Sequence, residues 1–288
     1  MLQKSVNPLR LAPIALISLA AAWGLAFVIM KDSIERQSVN SFLFTRFGVA
    51  TLVLLAIRPM ILRLITKELF IKAFLAGLLL GAGFILQTEG LARTGAAITG
   101  FITGLYVVAT PLISALFLKK KISLFTWGCV ALATVGLALL SLRGWSMGFG
   151  EFLVLLCAIA FAGHIVALGQ WSAGRDVYAM TIVQLFAVTV LTGTFAFIEG
   201  YEAPPDNQVW AVVFFTAIVA TALGFVIQTW AQAHIESTKV AVILTLEVVF
   251  AAFFAITIGR EEMTPQVILG GIILLIAMYL IVIKEPSS

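Results

Sequence analysis

A carboxylate lies inside the run LTLEVVFAAFF (244–254), among apolar and hydroxyl neighbours, where an ionised group is expensive unless it meets a partner or a wet cavity. At that place Glu247 can bind a cationic or ammonium group, exchange a proton, or serve as a structural carboxyl held by a neighbouring helix. Two glutamines stand in matched surroundings, GFILQT (83–88) and GFVIQT (224–229). Each amide of Gln87 and Gln228 offers both a donor and an acceptor, for a ligand or as glue between helices. His164 is embedded in an apolar run and is able to titrate near neutrality or to bond a backbone carbonyl. Thr99, Thr103, Tyr106, Thr110 and Ser114 recur at helical spacing, so they form one polar stripe expected to face a cavity. Trp23 and Phe27 supply aromatic surface that can stack on a ring or a cation. Arg46 is expected to pair with Glu89 as a structural contact or a gate. Pro111 removes a backbone bond inside the polar stripe and predicts a bend there.

Enzyme chemistry finds little support. There is no metal-ligand spacing, no nucleotide-binding loop and no nucleophile with a base and an orienter, and HIES (234–237) lacks the second histidine of a zinc helix. No cofactor or metal is expected. The two cysteines, Cys129 and Cys157, read as small buried hydrophobes.

The elements that must position these residues follow from composition. At 288 residues, 61% hydrophobic and 11% charged, with a mean hydropathy of +1.11, the chain belongs in a lipid bilayer. Apolar runs of about 20 residues, the length that crosses about 30 Å of hydrocarbon, fall near 12–30, 40–57, 72–91, 96–118, 123–142, 150–170, 178–198, 209–231, 238–258 and 265–283. The first run is too long for a signal peptide and is followed by KDSIER (31–36), so it reads as a retained span. Continuous apolar runs without alternation do not fit a transmembrane barrel.

The hexapeptides are offset by 141 residues, and the same offset matches Ala92 with Ala233, Ile102 with Ile243, Leu105 with Leu246, and Val107 and Val108 with Val248 and Val249, without a gap. It also pairs Tyr106 with Glu247 and Pro111 with Ala252. An offset of 138 pairs Trp23 with Phe161 and Arg46 with Gln184 more weakly. The expected fold is an all-α integral membrane protein of ten transmembrane helices, arranged as two five-helix repeats, 1–145 and 146–288, around a central cavity. Five crossings is odd, so the repeats must be inverted, an arrangement typical of secondary transporters. Loop charge sets the orientation. Lys4, Arg10, Arg58, Arg63, Lys67, Lys72, Lys119, Lys120, Lys121, Arg175, Lys239 and Lys284 fall on one side, against Lys31, Arg36, Arg93, Arg143 and Arg260 on the other, which puts both termini in the cytoplasm. The net charge of +4 comes from these loops and implies no nucleic-acid partner.

Three stretches carry a family resemblance: AAWGLAFVIMK (21–31), FTRFGVATLVLL (44–55) and LTLEVVFAAFFAITIGREEMTPQVILGGIILLIAMYLI (244–281). They resemble the opening helix, the Arg-bearing second helix, and the Glu-containing ninth helix with its Gly-x-Glu turn and Gly-rich tenth helix of EamA-type proteins. These belong to the drug/metabolite transporter superfamily, near the YddG-like amino-acid and metabolite exporters. Val248 stands where that family often has proline. The resemblance implies a cavity walled by helices one to four and six to nine, with the fifth and tenth outside it. It further implies a carrier exporting small amphiphilic solutes across a bacterial inner membrane, with protons as a candidate coupling ion and the chain acting as a monomer or weak homodimer. Few charges, several hydroxyls and amides, and aromatic walls suit zwitterions or aromatic amines. Sugar phosphates and nucleotide sugars are the alternative and would call for more basic residues at depth, while a channel or scaffold fits an inverted repeat with a polar midplane less well. Single cysteines at Ser123 and Asn207 should react with an impermeant maleimide from opposite sides of the membrane, and same-side labelling would refute the five-plus-five arrangement.

Overall fold

The computed structural model describes residues 8–117, 123–143, 146–235 and 237–284, so the predicted loop cations Lys4, Lys119, Lys120 and Lys121 lie outside the described residues. Helices run α1 Pro8–Glu35, α2 Val39–Ile57, α3 Lys67–Leu91, α4 Ala96–Thr103, α5 Tyr106–Phe117, α6 Leu124–Ser141, α7 Phe149–Trp171, α8 Val177–Glu199, α9 Asn207–Phe215, α10 Gly224–Gln232, α11 Ser237–Leu244, α12 Leu246–Thr257 and α13 Pro265–Lys284. A π-helical stretch, Thr216–Leu223, joins α9 to α10. Where strands were not expected, one two-residue ladder pairs Leu142–Arg143 with Ser146–Met147 at the join of the two halves.

Among the described residues, seven helical runs are long and apolar enough to cross a membrane: Leu11–Glu35, Val39–Ile57, Lys67–Leu91, Ala96–Phe117, Phe149–Trp171, Val177–Glu199 and Asn207–Gln232. Shorter apolar helices cover Trp127–Gly136, Leu246–Thr257 and Pro265–Ala277. Exposed apolar stripes such as Leu75 with Leu79, and Phe152 with Leu156 and Ile159, repeat at helical spacing, as lipid-facing surfaces do. Helix starts are fixed by short polar caps. Ser38, Thr66, Asp176 and Asp206 each accept a backbone N–H three residues on, opening α2, α3, α8 and α9.

The fourth and ninth apolar runs are both broken, and at equivalent places. α4 gives way to α5 at Gly104–Leu105, and α11 to α12 at Thr245. Each break is a tightened turn, with Val107 N–H donating to Gly104 O (3.1 Å) and Val248 N–H to Thr245 O (3.0 Å). The two bonds stand at the same 141-residue offset as the hexapeptides. This break is separate from the bend expected at Pro111, which lies inside α5 beyond it, while its counterpart Ala252 lies beyond an equivalent break that has no proline. The cause is therefore common to both halves.

Packing is reciprocal. α1 lies on α11 and α12 while α7 lies on α4 and α5; α3 packs against α7 and α8, while α10 and the π stretch pack against α1 and α2. α6 and α13 pack on each other. Glycines set the closest approaches: a Cβ on Gly24 would lie 2.7 Å from Ala251 N and from Phe250 Cβ, and one on Gly77 would lie 2.6 Å from Gln184 O.

One end of the bundle is tied by polar contacts between distant segments. Arg36 pairs with Asp206 and Asp32, Asn40 donates to Glu199 (2.9 Å), and Lys31 pairs with Glu261 at 3.5 Å. The Asp206 carboxyl is held below its usual range, first by the Val209 N–H it caps and then by Arg36. Its contribution to stability is thus present above the unfolded carboxyl pKa and is lost as pH falls through the lowered folded value. Glu261 also accepts from Ala96 N–H (2.8 Å) and Ala97 N–H (3.3 Å), placing a carboxylate on the N-terminus of α4. In the Gly-x-Glu turn that delivers it, Gly259 is required by a close approach, since a Cβ would sit 2.8 Å from Ala255 O, and Arg260 takes the left-handed conformation at φ 52°. At the other end Arg58 pairs with Asp176 (3.5 Å) and Arg175 with Glu68 (2.6 Å).

The α1–α12 contact gives a stability prediction. Gly24→Ala pushes a methyl into backbone and should destabilise the protein by about 1–3 kcal/mol, as overpacking does, whereas Gly128, with nothing within 4 Å of its built Cβ, should accept alanine without loss. Melting temperatures in detergent check both; equal midpoints would refute the packing assignment.

Candidate functional site

The repeated hexapeptide builds the centre of the molecule. Gly83 and Gly224 each admit a large side chain from the opposite half: a Cβ on Gly83 would lie 2.3 Å from the Phe161 ring on α7, and one on Gly224 2.7 Å from Leu19 and 3.4 Å from Trp23 on α1. Phe84 and Phe225 follow, and Gln87 and Gln228 come one helical turn later on the same face. All four line one cavity, together with Trp23, Ala26, Phe27, Met30, Arg46, Leu80, Tyr106, Phe161, His164, Ile165, Leu244 and Glu247. Both halves contribute, and among the described residues neither α6 nor α13 does. Its volume, traced by the centre of a water-sized sphere, is about 50 Å³, room for a few waters.

Of the residues singled out from sequence, Trp23, Phe27, Gln87, Tyr106, His164, Gln228 and Glu247 are brought together here. Thr103 stands one layer back, where its hydroxyl accepts from Gln87 Nε2 (3.2 Å). Two others of the polar stripe turn back on their own helix, Thr99 donating to Gly95 O (2.9 Å) and Thr110 to Tyr106 O (2.7 Å). The expected Arg46–Glu89 pair is not formed. Glu89 takes Arg93, one turn away at the end of α3, whereas Arg46 is buried seven residues into α2 and reaches into the cavity. An i,i+4 partner in the same terminal turn claims the carboxylate first.

Arg46 is the residue whose partners differ from those the sequence suggested. Its Nε donates to Thr221 Oγ1 (2.8 Å) and its Nη1 to Met30 Sδ (3.1 Å), and the guanidinium carbon lies 5.1 Å from the Phe84 ring centre and 5.4 Å from that of Phe47. Cation–π contacts contribute about 0.5–2 kcal/mol each and a hydrogen bond from a charged donor about 1.5–3, against several kcal/mol for burying the ion. These contacts offset much of the burial cost but supply no negative charge, and among the described residues no carboxylate pairs with Arg46. Glu247 is in the complementary condition. It is 5% exposed, has Tyr106 and Cys157 as electrostatic neighbours, and makes no hydrogen bond or ion pair among the described residues.

The π stretch explains why this wall is receptive. Its widened turns present Ala220 O to the Trp23 indole N–H (2.7 Å) and Thr221 to Arg46. Around the ring, Trp23 packs on Phe225 at 5.6 Å, Phe84 on Phe161 at 5.3 Å and on Phe47 at 4.9 Å, forming aromatic walls.

Polar capacity in the cavity is partly unspent. Gln228 Nε2 donates to Gln232 Oε1 (3.2 Å), and Gln232 Nε2 to Ile165 O (2.9 Å), while Gln228 Oε1 and the Tyr106 hydroxyl have no partner among the described residues. Gln184 Nε2 donates to Met180 O (3.2 Å), so its Oε1 accepts from His164 Nε2–H (2.8 Å). That bond fixes the tautomer and makes Nδ1 the acceptor. Gln232, Gln184 and Thr221 were not legible as site residues, because each acts through a neighbour and lacks a matched partner in the other half. The phenylalanines of the hexapeptides were visible as part of the repeat. Among the described residues no group of three or more His, Cys, Asp or Glu is arranged to hold a metal ion.

Comparison with known proteins agrees with this architecture. The sequence profile of the EamA-like transporter family matches residues 10–142 and again 148–283. An uncharacterized transporter of Archaeoglobus fulgidus is 31% identical over 274 residues, covering 95% of this chain and 86% of that one. The uncharacterized transporter YoaV of Bacillus subtilis is 24% identical over 283 residues, covering 93% and 95%. A solved crystal structure, 16% identical with a TM-score of 0.69, covers 95% of this chain and 96% of its own, and so shares the fold. With the profile matched in both halves and a relative this similar along nearly its whole length, the chain belongs to the EamA-like transporter family, as a multi-pass integral membrane protein.

Proposed function

We propose that this protein is a secondary carrier that exports small amphiphilic organic solutes, amino acids or related metabolites, by alternating access around the central cavity. The observation that carries the reading is the cavity itself: it is walled by both halves and holds the buried Arg46 guanidinium and Glu247 carboxyl, neither with a counter-ion among the described residues, beside a tyrosine hydroxyl and an amide oxygen that have no hydrogen-bond partner among them. Groups left in that condition at membrane depth suit a ligand that arrives and leaves. The ten spans form two inverted five-helix repeats, 1–145 and 146–288. The reciprocal packing and the equivalent breaks at Gly104–Leu105 and Thr245 support this arrangement. Both termini are cytoplasmic in a bacterial inner membrane, on the strength of loop charge. Sugar phosphates and nucleotide sugars suit the cavity less well, because Arg46 is the single basic residue among its described lining.

The experiment is counterflow of labelled amino acids in proteoliposomes. A carrier concentrates label transiently against unlabelled solute, and a pore does not. Gln87→Ala and Gln228→Ala should each weaken binding of the transported solute about tenfold, the scale of one hydrogen bond, with membrane insertion intact. Unchanged affinity in both variants would return the two amides to packing.

Glu247 is the proposed proton or ammonium site. If it exchanges a proton during the cycle, Glu247→Gln abolishes pH-driven uptake and leaves equilibrium exchange; if it holds the ammonium, both fall together. A variant with both activities at the parental level would show that Glu247 is structural.

A further inference from the structure

Neither the guanidinium nor the carboxyl in the cavity has a counter-ion among the described residues, and the two belong to different walls. Arg46 rises from α2 and is held by α1, α3 and the π stretch through Met30, Phe84 and Thr221. With Nε and Nη1 engaged, Nη2 has no protein acceptor among the described residues. Glu247 comes from the first turn of α12, beside Tyr106 of α5 and Cys157 of α7. The Trp23, Phe84, Phe161 and Phe225 rings supply the apolar surface of the same cavity. A solute carrying one charge would leave the other residue buried and unmatched. One carrying a carboxylate and an ammonium on a small apolar body would satisfy both.

We propose that Arg46 and Glu247 form a two-point site for a zwitterion, with Arg46 Nη2 donating to the solute carboxylate, the Glu247 carboxylate accepting from its ammonium, and the aromatic walls taking its side chain. This rests on the cavity being the solute site, and it assigns Arg46 to recognition in place of a gate. The amide oxygen of Gln228 and the hydroxyl of Tyr106, both unpartnered, are further contacts for a polar headgroup. A guanidinium fork with one free arm suits a carboxylate better than a phosphate, which calls for several cations around its oxygens.

Three probes that share one body test the pairing: L-phenylalanine, phenethylamine and 3-phenylpropionate, with leucine, isoamylamine and 4-methylpentanoate as a parallel aliphatic set. Binding to the purified full chain is measured by calorimetry. In at least one set the parent protein should prefer the zwitterion over both single-charge analogues by about 10- to 100-fold, the span of one charge-assisted hydrogen bond. Arg46→Gln should lower amino-acid affinity to that of the amine while leaving the amine unchanged, and Glu247→Gln should lower it to that of the acid. Arg46→Lys, which keeps the charge but loses the fork, should fall between parent and Arg46→Gln, and it serves as the readout should Arg46→Gln not fold. Equal loss of zwitterion and amine in Arg46→Gln, or zwitterion affinity unchanged in Arg46→Lys and Arg46→Gln alike, would overturn the site by making Arg46 structural. Counterflow of some other solute with no binding of any of the six probes would overturn the two-point site and leave the carrier reading standing, whereas absence of counterflow for every solute would refute the carrier reading itself.

Discussion

In hydrocarbon every polar group must be given a partner or a wet space, and in this protein that constraint decides where chemistry can occur. Hydroxyls on the helices mostly return to their own backbone, as Thr99, Thr110, Thr181 and Thr192 do, and so cost little. Carboxylates near the bundle ends find a cation or a helix N-terminus, as Glu89 and Glu261 do. Arg46 and Glu247 find no counter-ion among the described residues, and both open into one cavity. Their retention beside so little protein compensation is the feature from which the functional reading grows.

The cavity exists because backbones approach closely on either side of it. Gly83 and Gly224 let Phe161 and Leu19 press against the helices that carry Gln87 and Gln228, so the aromatic walls and the amides are set by the same glycine contacts. The breaks after α4 and α11 then place Tyr106 and Glu247 beside a tightened turn. Non-helical backbone at membrane depth is tolerated where it is buried in protein or borders such a space.

Much of this was legible in the sequence. Gln87 and Gln228 were visible because a polar side chain repeated at a fixed offset inside apolar runs is costly and has no use on a lipid-facing helix, and Glu247 because a lone carboxylate stands out there. The partners of Arg46 were not legible: pairing with Glu89 looked plausible on helix position alone, and only the packing shows that Arg93 claims that carboxylate while Arg46 turns toward Thr221. The helix breaks were not legible either: the one at Gly104–Leu105 lies before Pro111, the residue with an obvious local effect, and it recurs in the other half without a proline. The π stretch left no compositional trace, since TAIVATAL reads like any apolar helix.

The two halves agree in backbone more than in side chains, and that difference has a consequence. Offsets of 141 and 138 residues relate the helix breaks and the glycine contacts, yet Tyr106 stands opposite Glu247, Leu91 opposite Gln232 and Gln184 opposite Arg46. The π turns of Thr216–Leu223 likewise face a regular α-helical stretch at 75–82. Equivalent helix breaks and reciprocal packing would favour two arrangements of the halves with similar energies, as the proposed alternating access requires. Unmatched side chains put a guanidinium on one wall of the cavity and a carboxyl on another, so in the proposed two-point site an asymmetric solute would keep a single orientation while the scaffold around it changes. Symmetry in the frame and asymmetry in the lining are therefore complementary requirements, and a fully symmetric lining would lose the means to tell one end of its cargo from the other.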